Sequence, residues 1–165
     1  MDATALHVRA YLEFSVGCFD AALAALAEAI RHDPTNAHYW FDAGIVHWER
    51  GDSAEAGRSF RQAASLAPTR ARAWFNAAAA ELRRGDRPSA IRLAWRAVGA
   101  DPRLALPAFR GFVLGEPLVP LFDQGVGHTG MRSARGFRCL GSCPCQAGKP
   151  GQGWRSLSAG ACRRG

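Results

Sequence analysis

The amino-acid sequence predicts an all-α fold in which three helix–turn–helix repeats of equal length stack side by side. The main observation is that the chain matches itself when it is shifted by 34 residues. Aromatic, glycine and proline positions keep this register without an insertion: Trp40 and Trp74; Gly17, Gly51 and Gly85; Pro34, Pro68 and Pro102. A fixed period of this length is typical of an array in which each unit buries its apolar face against the next one.

Each repeat contains two predicted helices separated by a glycine. In the first repeat, residues 3–16 follow the capping residue Asp2, Gly17 ends the helix, and residues 19–33 form its partner. The second repeat predicts helices from about 37 to 50 and from about 53 to 67, the latter opened by an Asp-Ser-Ala-Glu capping box at residues 52–55. The third copies this pattern over about 71–84 and 87–100, with Pro88 in a first turn where its missing amide costs little.

Small and bulky residues alternate in the way that closely packed helices require. The small ones are Gly44, Ala78, Ala22, Ala56 and Ala90, and the bulky ones are Trp40, Trp74, Leu26 and Phe60. With the recurring prolines, this pattern resembles the tetratricopeptide repeat (TPR), a helix–turn–helix of 34 residues. The resemblance implies a right-handed superhelix, or α-solenoid, with repeats at residues 3–36, 37–70 and 71–104.

The end of the chain departs from the repeat pattern. A fourth repeat begins at Ala105 but is interrupted by Gly115, Pro117 and Pro120, which predicts a short irregular cap over residues 105–122. Residues 123–165 are rich in glycine, arginine and cysteine without apolar periodicity, which predicts a disordered tail. Residues 1–104 hold 13 arginines against 12 acidic residues, whereas residues 105–165 hold 8 basic against 2 acidic residues. The high net charge therefore belongs to the C-terminal part.

No motif in the sequence predicts catalysis, a cofactor or a metal. Cys139, Cys143, Cys145 and Cys162 show only half of a zinc-site pattern, and His128 is distant from them in sequence. No phosphate-binding loop and no Gly-x-Ser-x-Gly motif is present. The sequence therefore predicts a protein that is not an enzyme. Cys18 is predicted to be a core or half-buried thiol.

The resemblance implies that the first helix of each repeat lines a concave groove that binds a peptide. Helical spacing agrees, because Phe41, Ile45 and Trp48 recur four and three residues apart on a stripe turned away from Gly44. The alternative, that some of these aromatic and aliphatic side chains belong to the core, stays open for Ile45 and Phe75. By register, the predicted groove residues are His7, Tyr11, Phe14, His38, Phe41, Asp42, Ile45, Trp48, Arg72, Phe75, Asn76, Ala79 and Arg83.

One group of TPR domains grips the C-terminal carboxylate of chaperones with basic and amide side chains. At the matching positions this sequence has His7, Tyr11, Asp42, Arg72 and Asn76, of which only Arg72 fits in charge. Asp42 would repel a carboxylate at the centre of the groove. The sequence therefore argues against a chaperone-tail clamp.

The predicted function is that of a non-catalytic scaffold that binds a peptide or helical segment of another protein. Two alternatives stay open: a helical-repeat arm of a larger enzyme or regulator, and nucleic-acid binding through the basic tail. The latter is disfavoured because the repeat body lacks a basic stripe with interleaved aromatic residues. Without a run of about 18 apolar residues or a signal peptide, the sequence predicts a cytoplasmic protein with no membrane partner.

Overall fold

Three antiparallel helix pairs form the body of the protein. The computed structural model describes residues 2–113 together with Leu118, Pro120 and Leu121. The helices are α1 (Ala3–Ser15), α2 (Phe19–His32), α3 (Ala37–Arg50), α4 (Ser53–Leu66), α5 (Ala71–Arg83), α6 (Arg87–Ala100) and α7 (Ala105–Val113), with a 3-10 turn over Pro102–Leu104 before α7. The all-α solenoid that the sequence predicted is confirmed.

The turns inside the repeats depend on glycine. Gly17, Gly51 and Gly85 have φ angles of 80°, 99° and 88°, in the left-handed region that other residues adopt only with strain. Asp2 caps α1 by accepting a hydrogen bond from the Ala5 amide at 2.7 Å, as the sequence predicted. The capping box expected at Asp52 is absent, because the Asp52 carboxylate pairs with Arg50 and makes no side-chain cap.

The tightest approach between helices joins α3 to α4 at Gly44. A Cβ atom placed on Gly44 would lie 2.6 Å from the Phe60 ring, which is fully buried. Trp40 and Trp74 are only half-buried, and each donates its indole N–H across the repeat junction, to the carbonyl oxygens of Pro34 and Pro68, both at 3.0 Å. The tryptophans thus bind the second and third repeats to the loops that precede them.

A buried carboxylate connects the second and third repeats. Glu81 on α5 is only 1% exposed, yet its carboxylate forms ion pairs with Arg61 of α4 and with Arg84. The Arg84 Nη1 to Glu81 Oε2 distance is 2.6 Å. Both arginines keep part of their surface in water. The buried carboxylate of Glu81 therefore has cationic partners, and neither guanidinium has to lose all of its hydration.

The segment after the third repeat starts as a regular helix. The sequence predicted an irregular cap over residues 105–122, and the structure forms the nine-residue helix α7 over the first half of that segment. Leu104, Ala108 and Leu118 complete an apolar cluster with Phe75 and Ala79 of α5. The predicted disordered tail, residues 123–165, lies outside the described residues, as do the four C-terminal cysteines.

Candidate protein-binding surface

The predicted groove residues divide sharply into buried and accessible side chains. Phe14, Phe41, Ile45, Phe75, Asn76 and Ala79 are 9%, 1%, 5%, 1%, 0% and 1% exposed. The prediction that Phe41 and Phe14 lie on a face free of repeat packing is therefore wrong. For Ile45 and Phe75, where the sequence left groove and core open, the structure places both side chains in the core.

The cause of this burial is the close spacing of the helices. Since Gly44 lets α4 approach α3, the Phe41 ring reaches the Phe60 ring edge-on, with centroids 5.6 Å apart. Phe75 is covered from the other direction by the apolar cluster that contains Leu104 and Leu118. Both faces of the first helices are used, and an apolar stripe on such a helix does not by itself indicate a free groove.

The accessible members of the set are mostly polar. His38 and Arg83 are exposed, whereas the remaining five are half-buried: His7, Tyr11, Asp42, Trp48 and Arg72. Trp48 is the largest apolar group among them. The Arg83 guanidinium lies over the Trp48 ring, 4.6 Å from its centroid, and Arg83 Nη1 donates to the Trp48 carbonyl oxygen at 3.3 Å. This stacked pair joins α3 to α5 and presents one aromatic surface and one cation together.

A hydrogen bond between α1 and α3 closes the surface at the first repeat. His7 Nε2 lies 2.5 Å from Asp42 Oδ2, and the His7 ring also contacts the Tyr39 ring, with centroids 5.1 Å apart. Asp42 is therefore engaged by a side chain of the protein itself. A partner that donates a hydrogen bond to Asp42 would bind a carboxylate that already forms a hydrogen bond with the His7 imidazole.

Arg70 is a member of this surface that the sequence analysis missed. Its guanidinium lies 5.5 Å from the centroid of the Phe41 ring, and its Nη2 is 2.9 Å from the imidazole Nε2 of His38. Arg70 is the residue immediately before α5, so helical periodicity did not include it. The repeat register gave no signal either, since Asn36, which stands one repeat before Arg70, caps α3 and is not among the predicted groove residues.

His47 lies on α3 away from these residues, in a partly buried position. Burial, and next the nearby Arg50 guanidinium, lower the pKa of His47 below its ordinary value of 6.5. Its Nδ1 is buried and has no hydrogen-bond partner among the described residues. The lowered pKa favours the neutral imidazole at neutral pH, which is compatible with the partly buried position of His47.

Asn76 binds a backbone segment of the chain itself. Its amide nitrogen donates to the Leu121 carbonyl oxygen at 3.0 Å, and its amide oxygen accepts from the Leu121 N–H at 2.7 Å. Leu121 belongs to no helix, and its side chain packs against the cluster around Phe75. A carboxamide in this position satisfies both backbone polar groups of one residue, as a neighbouring β-strand would.

Side chains that commonly bind metals do not cluster in the described part of the chain. Residues 2–113 with Leu118, Pro120 and Leu121 bring together no group of three or more histidine, cysteine, aspartate or glutamate side chains that could hold an ion. Cys18 is half-buried, as predicted. Among these residues, no helix is long and apolar enough to span a bilayer.

Comparison with known proteins gives one family. A family model described as "Tetratricopeptide repeat" matches residues 7–71 and, one repeat later, residues 41–105. No match was found among curated proteins.

Several solved structures share the fold. A crystal structure of MamA superposes with a TM-score of 0.60 at 23% identity, covering 64% of this chain and 61% of that one. The first TPR of Spaghetti (RPAP3), bound to the HSP90 peptide SRMEEVD, gives 0.63 at 18% identity, covering 69% and 92%. YrrB, described as a TPR protein with an unusual peptide-binding site, gives 0.61 at 20%, covering 67% and 58%. At these identities the similarity shows the fold alone, and this chain spans about three fifths of the MamA chain that it matches.

Proposed function

Because the chain belongs to the tetratricopeptide-repeat family, we propose that it is a non-catalytic protein-interaction module that binds an extended segment of a partner protein. The segment lies along α1, α3 and α5, across repeats 3–36, 37–70 and 71–104. The observation that carries the proposal is the pair of hydrogen bonds between Asn76 and the backbone of Leu121. They show a position on α5, the first helix of the third repeat, where a side chain forms hydrogen bonds with the backbone of a non-helical segment.

The binding mode follows from the side chains that remain accessible. Phe14, Phe41, Ile45 and Phe75 are in the core. Among the predicted groove residues, the aromatic side chains with part of their surface accessible are Trp48 and Tyr11, besides the two histidines. Affinity then depends on Trp48, stacked with Arg83, and on polar contacts from His38, Asp42 and Arg72. This favours a partner segment with mixed polar and apolar side chains.

Two related structures support peptide binding as the role of such a surface. The Spaghetti domain holds an HSP90 peptide, and YrrB is described as having a peptide-binding site. The partner class proposed here is nevertheless different from the acidic HSP90 peptide, because the surface includes the Asp42 carboxylate, which repels acidic side chains. We place the protein in the cytoplasm, where such segments are available.

The proposal is tested with peptides selected from a random linear library on the full-length chain. Binding of a selected peptide is measured by fluorescence polarisation, and each variant's fold is checked by circular dichroism. Trp48→Ala should weaken binding about tenfold or more, since tryptophan is among the side chains that dominate interfaces. Trp95→Ala is the matched control, because Trp95 is an exposed tryptophan on α6, outside the surface.

A second variant tests the role of Asn76. Leu121→Pro removes the amide that donates to Asn76, and should raise peptide affinity by releasing the chain's own segment from that site. Equal binding by wild type, Trp48→Ala and Leu121→Pro would show that the peptide binds elsewhere. Loss of binding in Trp95→Ala alone would show that the peptide binds at the exposed face of α6 that carries Trp95.

A further inference from the structure

The two ends of the solenoid both expose apolar surface. At the N-terminal end, Val8, Leu12 and Val16 are 54%, 58% and 57% exposed, and with the exposed Ala5 they form one stripe along α1 and its C-terminal capping residue, Val16. We call these four residues the head stripe. Their spacing of three and four residues places them on one helix face, opposite the buried Leu6, Ala10 and Phe14.

At the other end, α6 and α7 enclose an apolar groove of about 410 Å³. We call it the tail groove. Ile91, Trp95 and Val98 of α6 form one wall, and Phe109, Phe112 and Val113 of α7 form the other. Trp95 is 70% exposed and Phe109 is 53% exposed, so the groove is open to a large apolar group.

The repeat register explains why this groove exists. Ala105 at the start of α7 lies 34 residues after Ala71 at the start of α5, so α7 occupies the place of a first helix. In the preceding repeats a second helix packs against the first helix of its own repeat: α2 against α1, α4 against α3 and α6 against α5. The tail groove is the space for such a helix, and its lining is apolar for the same reason.

The two ends carry opposite charge. Residues 2–36 contain five acidic residues against two arginines, a net charge of −3, whereas residues 87–113 contain five arginines against one aspartate, a net charge of +4. Arg92 and Arg110 are exposed on the two helices that form the groove. Asp20 and Glu28 are exposed on α2, where Asp20 pairs with Arg50 of the second repeat and Glu28 pairs with Arg31. Opposite potentials on two apolar surfaces favour contact between them.

We propose that the head stripe of a second copy of this chain occupies the tail groove, so that copies associate head to tail. The dimensions agree: from Val8 to Val16 the helix advances about 12 Å, and α7 from Ala105 to Val113 offers about the same length at ~1.5 Å per residue. The contact joins two different surfaces, so each copy keeps one free end and the assembly extends as an open filament. It leaves the concave surface free and is independent of the proposed peptide binding.

Two variants of the full-length protein that introduce a charge into an apolar surface test this contact. Leu12→Arg places a cation in the head stripe, and Trp95→Glu places an anion in the tail groove. Wild type should show a mass that rises with concentration in sedimentation equilibrium, from micromolar to near-millimolar protein. Each variant should weaken association about tenfold or more, and added salt should weaken wild-type association through screening.

Mixing the two variants separates head-to-tail contact from symmetric dimerisation. The mixture retains one intact head and one intact groove, so it should form a one-to-one dimer and nothing larger. Leu106→Arg is the matched control, because Leu106 is 65% exposed on α7 but does not line the groove, and its association should equal that of wild type.

Three results would overturn the proposal. Wild type that stays monomeric over the whole concentration range would show that no second copy binds the groove. Unchanged association in Leu12→Arg with loss in Trp95→Glu would indicate a groove-to-groove dimer. A mixture of the two variants that remains monomeric would show that the two surfaces do not contact each other.

Discussion

Substitution of Gly44 by alanine tests the close packing of α3 against α4. In an exposed helix interior, Gly→Ala stabilises by about 1 kcal/mol, because alanine loses less backbone entropy. At Gly44 the added Cβ would lie 2.6 Å from two carbons of the Phe60 ring. Phe60 is fully buried and cannot withdraw, so overpacking should cost about 1–3 kcal/mol. The cost therefore equals or exceeds the gain.

The matched control is Gly99 on α6, where an added Cβ would meet nothing within 4 Å. Because the helix-propensity gain is similar at the two positions, the difference between the variants isolates the clash. In urea unfolding, Gly44→Ala should be less stable than Gly99→Ala by about 1–3 kcal/mol. The clash should shrink in a Phe60→Leu background, with a coupling energy of about 0.5–3 kcal/mol. A Gly44→Ala variant as stable as Gly99→Ala, or with the same effect in both backgrounds, would refute the assigned contact.

Two further predictions concern titratable side chains. Glu81→Gln removes the charge that pairs with both Arg61 and Arg84 and should lower the free energy of unfolding by about 1–3 kcal/mol. The control is Glu28→Gln, which breaks an exposed pair with Arg31 and should change the free energy of unfolding by less than about 0.5 kcal/mol. Equal effects of the two substitutions would contradict the burial argument. His47 has a lowered pKa when folded, so the unfolded chain takes up the proton first as the pH falls below 6.5. Stability should therefore decrease from 6.5 down to the lowered folded pKa, and His47→Gln should flatten this decrease in urea titrations at a series of pH values.

The fold could be predicted from the sequence because its signals are local and repeated. Gly17, Gly51 and Gly85 mark the turns, and each has the left-handed conformation that only glycine adopts easily. The Gly44 position predicted a close helix approach, and the structure places the Phe60 ring there. Each of these features depends on residues a few positions apart or on the 34-residue period.

The binding surface was harder to predict because accessibility is a property of the assembled fold. Phe41 and Trp48 lie on the same first helix and look equivalent in periodicity, yet Phe41 is in the core and Trp48 is half-exposed. The difference arises from α4, which reaches the Phe41 ring through Phe60. Helical periodicity could not predict the hydrogen-bond partner of Asn76 either, because Leu121 lies 45 residues away in a segment without a repeat pattern.

The recurring junction between repeats has a consequence for how such a chain can evolve. The bonds from Trp40 to Pro34 and from Trp74 to Pro68 have the same length, and the glycine turns on either side have similar conformations. A tandem duplication of residues 37–70 would therefore present matching surfaces at both of its ends, and the added unit would find neighbours of the shape that it already packs against. The gene can lengthen or shorten by whole repeats without a new core, so the reach of the molecule can change in single steps while each existing contact is kept.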